Sequence, residues 1–97
     1  MRVLIAGGGI AGLVAALALH RKGIDCTVFE SVPEIRALGV GINLLPHAVK
    51  VLTELDLADA LGEVAIRTAE LAYFNKLGQR IWSEPRGLAA GYAWPQF

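Results

Sequence analysis

Residues 3–12 read Val3-Leu4-Ile5-Ala6-Gly7-Gly8-Gly9-Ile10-Ala11-Gly12, and this stretch decides the fold. An apolar run enters a glycine knot, and a helix-patterned segment, Ile10 to Lys22, leaves it. A second apolar run, Cys26-Thr27-Val28-Phe29, then ends in Glu30. The order is strand, tight turn, helix, strand, acid. That is the context in which a G-x-G-x-x-G pattern carries meaning as a dinucleotide-binding fingerprint.

Each position has a physical reason. Gly7 lets the chain turn sharply out of the first strand. Gly9 has no Cβ, so a pyrophosphate can approach the backbone, and Gly12 lets the helix pack closely on the sheet. The free N–H groups at the helix start, around Ile10, Ala11 and Gly12, point toward a bound phosphate, and the helix dipole adds attraction. Glu30 follows Gly12 by eighteen residues, near the roughly 20-residue spacing expected of the acid that holds a ribose diol. A carboxylate there accepts from a free 2′-hydroxyl and repels a 2′-phosphate, so FAD or NAD is expected in preference to NADP.

Outward from this unit, Arg2 to Ala6 reads as a buried parallel strand because it is almost continuously apolar. The helix spacing places Ile10, Leu13, Val14 and Leu17 on one face. His20, Arg21 and Lys22 suit a helix C-terminus that Gly23 closes, with His20 on the surface. Ser31 to Asn43 is loop-like. Arg36 in it is either a solvated loop arginine or a charge-assisted donor reaching back to a phosphate or ribose. Gly39 and Gly41, in the Leu38-to-Asn43 stretch, mark either a turn or backbone passing close to a ligand.

Pro46 suits the first turn of a second helix, His47 to about Glu54, with Ala48, Val51, Leu52 and Leu55 on one face. His47 reads as an exposed first-turn residue, without the partners a metal site needs. Asp56 is positioned to cap a shorter helix, Leu57 to Leu61, ended by Gly62. Glu70 to Asn75 and Arg80 to Glu84 read as a hairpin around Lys76-Leu77-Gly78-Gln79, in which Trp82 is either a core anchor, the preferred reading, or a residue lining a pocket. Pro85 to Phe97 shows no regular pattern.

Composition bounds the function. Ninety-seven residues at 55% hydrophobic content suit one small domain with a core. Net charge is zero with no like-charge run, which gives no footing for nucleic acid or an anionic membrane. The lone Cys26 cannot form an internal disulfide and reads as a buried, inert thiol, as in an intracellular, cytoplasmic protein. Residues 1–19 superficially resemble a signal peptide, but four glycines interrupt the apolar stretch. No metal-ligand cluster, nucleophile triad or P-loop is evident.

The residues also carry a resemblance. Val3 to Leu13, Phe29-Glu30, and Glu34-Ile35-Arg36 through Gly39-Val40-Gly41-Ile42-Asn43-Leu44 with Pro46 are three of its segments. The fourth is Trp82-Ser83-Glu84-Pro85-Arg86-Gly87 with Trp94-Pro95-Gln96-Phe97. Together they resemble the N-terminal portion of the single-component FAD-dependent aromatic hydroxylases, the para-hydroxybenzoate and salicylate hydroxylase group, most of all the branch with phenazine-carboxylate monooxygenases. The resemblance implies an α/β fold: a Rossmann-like βαβ FAD-binding start with a further helix and a β-hairpin, in an incomplete three-layer domain. Residues 1–97 would be the N-terminal part of one FAD-binding domain, about 1–66 holding the βαβ unit and helices. About 69–84 would be a hairpin leading toward a substrate domain.

Carried over residue by residue, Gly7, Gly9, Ile10, Ala11 and Gly12 would hold the FAD pyrophosphate and Glu30 the adenosine ribose. Arg36 would lie along the cofactor, and the loop containing Gly41 near the flavin or substrate cavity. The implied reaction is NAD(P)H reduction of the flavin followed by oxygen-dependent hydroxylation of an aromatic substrate. The family's later FAD contacts fall beyond Phe97, so the chain is expected to be an N-terminal portion, inactive alone, with an open sheet edge available for self-association. Two other readings stand beside this one. The chain could belong to another FAD- or NAD-dependent oxidoreductase sharing only the Rossmann start, or it could be a non-catalytic dinucleotide-binding module.

Overall fold

The computed structural model describes every residue except Ala37 and Leu38, so the Leu38 end of the glycine-bearing loop lies outside the described residues. The chain forms two compact units, residues 1–40 and 41–97.

In the first unit, β1 (Arg2–Ala6) leads through the glycine turn into α1 (Ile10–Arg21), which returns to β2 (Asp25–Phe29). The two strands pair in parallel, Arg2 opposite Asp25 through Ala6 opposite Phe29. The pairing runs one bond further, because the Gly7 N–H donates to the Phe29 carbonyl at 2.7 Å. Helix α1 ends in a Schellman arrangement. Gly23, at φ +70°, donates to the His20 carbonyl at 2.9 Å, and Ile24 donates to that of Leu19 at 3.0 Å.

Two expectations about burial are corrected here. Strand β1 is not buried on both faces: Val3 and Ile5 are half-buried while Leu4 is 67% exposed. Within this unit α1 packs on the two-stranded sheet, and the burial of β1 alternates as the pleat requires. The packed face of α1 also differs. Of the residues expected inside, Val14 is half-buried but Ile10, Leu13 and Leu17 are exposed, whereas Gly12, Ala16 and Leu19 are half-buried. Nearly every residue from Ile10 to Leu19 is apolar, so the period of 3.6 leaves no contrast by which to choose a face. The choice falls to the small residues Gly12 and Ala16, which let the helix approach the sheet. Cys26 is half-buried, its thiol 3.8 Å from the Ala16 carbonyl.

In the second unit, α2 (Pro46–Glu54) begins with Pro46 at its first turn, and α3 (Ala58–Val64) follows. The stripe that α2 buries is Ala48, Val49, Leu52 and Thr53, with Leu55 half-buried just beyond it. Val49 is 2% exposed, while Val51, expected inside, is exposed. The N-cap of α3 is Leu57, with no side-chain cap bond. Asp56 does not cap it, because it adopts φ +61° one residue earlier. Gly62 lies within α3 instead of ending it.

Strands β3 (Glu70–Phe74) and β4 (Arg80–Pro85) form an antiparallel hairpin with a register shift at Tyr73/Phe74. Asn75 organises its turn: its side-chain oxygen accepts from Leu77 N–H at 2.9 Å and Gln79 N–H at 3.0 Å. Gly78 supplies φ +79°. Trp82 is not a core residue; it is 52% exposed and stacks across the strands on Tyr73, ring centroids 5.6 Å apart. The C-terminal stretch holds more structure than its sequence pattern indicates. A short 3-10 turn spans Gly87–Ala90. Gln96 bridges to Thr68, and Leu44 and Phe97 exchange two backbone hydrogen bonds. Among the described residues, no helix is long and apolar enough to cross a membrane.

Candidate functional site

The glycine turn between β1 and α1 is a cradle of bare backbone. Gly7 adopts φ +108°, a conformation that a side chain strongly disfavours. A Cβ on Gly12 would fall far inside contact distance of the Gly7 carbonyl oxygen, 3.1 Å from the Gly7 carbonyl carbon and 3.4 Å from Ile5 Cγ2. The space beside Gly9 is the opposite: a Cβ there would meet nothing within 4 Å. Position 12 is thus filled by the protein itself, and position 9 faces room for something else. Gly9 is also the N-cap of α1, with no side-chain cap bond and no acid in the first helical turn. The first N–H groups of the helix, at Ile10, Ala11 and Gly12, therefore lack a side-chain acceptor of their own, the arrangement that suits a phosphate. Gly7, Gly9, Ile10 and Ala11 are exposed and Gly12 half-buried.

Glu30 stands at the end of β2, and its carboxylate meets the same turn. Its Oε2 accepts from the Gly8 N–H at 2.6 Å. Its Oε1 accepts from Val32 N–H at 3.1 Å and the Ser31 hydroxyl at 3.2 Å. The Val32 and Gly8 amides hold the carboxyl below the usual glutamate range against an opposing desolvation, with weaker help from Ser31. A carboxylate offers about four lone-pair positions, and the rotatable Ser31 hydroxyl can yield its place to a sugar hydroxyl.

The structure therefore brings Gly7, Gly9, Ile10, Ala11, Gly12 and Glu30 to one end of the small parallel sheet. Arg36 lies in the exposed loop after β2, where its Nε and Nη2 both donate to Glu34 Oε2, at 2.9 and 2.7 Å. Gly41 is exposed at the start of the second unit. His20 and His47 are exposed. Among the described residues, no three His, Cys, Asp or Glu side chains gather as metal ligands.

Sequence reasoning assigned no role to Gly8, although it is the buried residue of the turn. A Cβ at Gly8 would press on the Glu30 side chain at 3.1–3.3 Å. The middle letter of the triple glycine was the available signal. In the second unit, Glu84, Arg86, Trp94 and Gln96 line one open concavity of about 600 Å³. Two segments that stand out in the sequence converge there. Gln96 is 4% exposed, and its amide donates to Asn43 Oδ1 at 2.9 Å. Gly87 is required beside it, since a Cβ at that position would sit 2.7 Å from the Gln96 nitrogen. Arg86 pairs with Glu84, and its Nε is buried with no hydrogen-bond partner among the described residues.

Comparison with known proteins places this geometry. The family model described as "Tryptophan halogenase" matches residues 2–84. Phenazine 1,6-dicarboxylic acid hydroxylase PhzS of Lysobacter antibioticus is 51% identical over 96 residues, covering 98% of this chain and 24% of that protein. The 3-amino-4-hydroxybenzoate 2-monooxygenase of Streptomyces cremeus is 43% identical over 67 residues, covering 69% and 17%. Among solved structures, Klebsiella pneumoniae HpxO complexed with FAD and uric acid superposes with TM-score 0.77 at 31% identity, covering 99% of this chain and 25% of HpxO. The p-nitrophenol 4-monooxygenase PnpA of Pseudomonas putida superposes with TM-score 0.83 at 25% identity, over 97% and 24%. The chain spans about a quarter of the length of these relatives, or less.

Proposed function

We propose, from the premise that this chain belongs to the FAD-binding family described by the tryptophan halogenase model, that it holds the ADP half of FAD. The protein it serves is a flavin-dependent monooxygenase. The observation that carries this reading is the contrast within the glycine turn: Gly12 closed against Gly7, Gly9 open beside the uncapped start of α1. Those residues fit a pyrophosphate. The N–H groups of Gly9, Ile10, Ala11 and Gly12 bind it, the positive φ of Gly7 aims them, and Glu30 accepts from the adenosine ribose. Arg36, released from the exposed Glu34 pair, is within a short loop of the same cradle and neutralises phosphate charge. Gly41 is the candidate cofactor residue of the second unit, an exposed glycine with nothing within 4 Å of where a Cβ would stand.

FAD, when bound, supplies the electron transfer and oxygen chemistry, with NAD(P)H as the transient donor and a small aromatic compound as the substrate. PhzS and the aminohydroxybenzoate monooxygenase are named for aromatic acids, which makes an aromatic carboxylic acid the substrate class to try first. The protein is cytoplasmic in this reading. The edge of β1 that faces away from β2 has no strand partner among the described residues, and it is the place where self-association of the chain would occur.

The test is protein expressed from the complete gene, assayed for NAD(P)H oxidation coupled to oxygen uptake with a panel of aromatic acids. A yellow protein whose oxygen uptake rises with one acid and yields its hydroxylated product supports the reading. A colourless protein, or hydride transfer without oxygen consumption, contradicts it in favour of a different oxidoreductase.

A further inference from the structure

We propose that Glu30 is a positioning residue for the phosphate cradle itself, latching the glycine turn in its binding shape through the Gly8 N–H, in addition to accepting from a ribose. The end of β2 holds the turn at two successive residues. The first bond, Gly7 N–H to the Phe29 carbonyl at 2.7 Å, is backbone to backbone and survives any side-chain change. The second, Gly8 N–H to Glu30 Oε2 at 2.6 Å, depends on one carboxylate. Gly8 is buried against the Glu30 side chain, so removing that acceptor takes away both the partner of its N–H and the group that covers it, and the turn is left held by the Gly7 bond alone.

The opposite side of the latch is anchored as well. Val32 N–H and the Ser31 hydroxyl hold Oε1, so the carboxylate is pinned between the loop after β2 and the turn before α1. No acid in the first turn of α1 and no side-chain cap at Gly9 could take its place. The fit also explains a glycine where the fingerprint allows any residue. A Cβ at Gly8 would meet Glu30 Cβ, Oε2 and Cγ at 3.1 to 3.3 Å, so a methyl group needs the carboxylate to shift by a few tenths of an ångström. A branched side chain would displace it.

The latch makes a prediction opposite in sign to that of charge alone. Glu30 carries a negative charge beside a site for phosphate, so on Coulombic grounds its removal should tighten binding of a phosphate ligand that has no ribose. If the carboxylate shapes the cradle, removal should weaken it. This inference deepens the dinucleotide reading and rests on it for the ligand; the latch itself is read from the free chain.

The experiment uses the 97-residue chain and its Glu30→Gln and Glu30→Ala variants, followed by amide hydrogen exchange and by titration with inorganic pyrophosphate. In the wild-type chain the Gly8 amide is expected to be protected. In Glu30→Ala its exchange rises at least tenfold, Gly9 and Ile10 follow, and pyrophosphate affinity falls about tenfold. Glu30→Gln, which keeps an acceptor oxygen, shifts the Gly8 amide resonance but restores much of the protection and affinity; it also serves as the readout if the alanine variant does not fold. An unprotected wild-type Gly8, a Gly8 resonance indifferent to Glu30→Gln, or pyrophosphate bound equally or more tightly by Glu30→Ala would overturn the latch. A Gly8 amide that depends on Glu30 in a chain that binds neither FAD nor pyrophosphate would uphold the latch and sink the flavin reading. FAD bound by a chain whose Gly8 ignores Glu30 would do the reverse.

Discussion

Gly12 and Gly7 meet backbone to backbone across the first turn. A Cβ on Gly12 would fall well inside the contact distance of the Gly7 carbonyl oxygen and 3.1 Å from its carbonyl carbon. That contact brings α1 down onto the small parallel sheet and so sets where its N-terminus points. The atom it would strike is backbone, which cannot swing aside as a flexible side chain can.

Gly12→Ala is therefore expected to damage folding before it damages binding. Forcing a methyl group into a closed backbone contact costs about 1–3 kcal/mol, read as a lower denaturation midpoint. Gly9→Ala places its Cβ in open space, so it should leave the midpoint within about 1 kcal/mol while weakening dinucleotide binding. Equal losses of stability in the two variants would contradict the division of labour between these glycines.

Acid should loosen the same corner of the molecule. The Glu30 carboxyl titrates below its ordinary value, chiefly because the Val32 and Gly8 amides donate to its ionised form. A group whose pKa is lower in the folded than in the unfolded chain adds stability above the unfolded value, and loses it as pH falls through the folded one. The stability difference between wild type and Glu30→Gln should be constant above about pH 5, and should shrink as pH falls through and below the ordinary glutamate value of about 4.3. Chemical denaturation of both proteins across pH 3 to 7 checks this; a difference that grows in acid would contradict it.

Val49 offers the corresponding test in the second unit. It is 2% exposed on the inner stripe of α2, whereas Val51 on the same helix is 42% exposed. Val49→Ala should cost about 2 kcal/mol, and Val51→Ala about 0.5 kcal/mol or less. Matching losses would show that the helix is rotated from the face described.

These residues also mark what the sequence made legible. The strand, turn, helix, strand and acid order was readable because glycines and a carboxylate at fixed spacing have few other uses. The helix end at Gly23 and the hairpin turn at Gly78 were readable for the same reason: positive φ selects a residue type locally. Faces were less readable. In α1 the apolar residues run all the way round, so Gly12 and Ala16 decide the packing by their small size. In α2, Val49 and Val51 are chemically identical, and only the tertiary partner distinguishes them. Trp82 read as core by its bulk, yet it lies on the outer face of the hairpin against Tyr73. At the site, Glu30 was legible as an acid at the right distance. Its bond to Gly8 was not, because pairing a β2 side chain with one turn amide depends on rotamer and register.

The measurement that bears most directly on the central claim is a competition titration of the wild-type chain with FAD, FMN and ADP. The cradle of Gly7, Gly9 and Gly12 with Glu30 recognises the pyrophosphate and adenosine ribose without the family's later FAD contacts, so FAD should bind weakly, ADP should displace it, and FMN, which lacks that half, should not compete. FMN binding as well as FAD, or FAD that ADP cannot displace, would contradict the account.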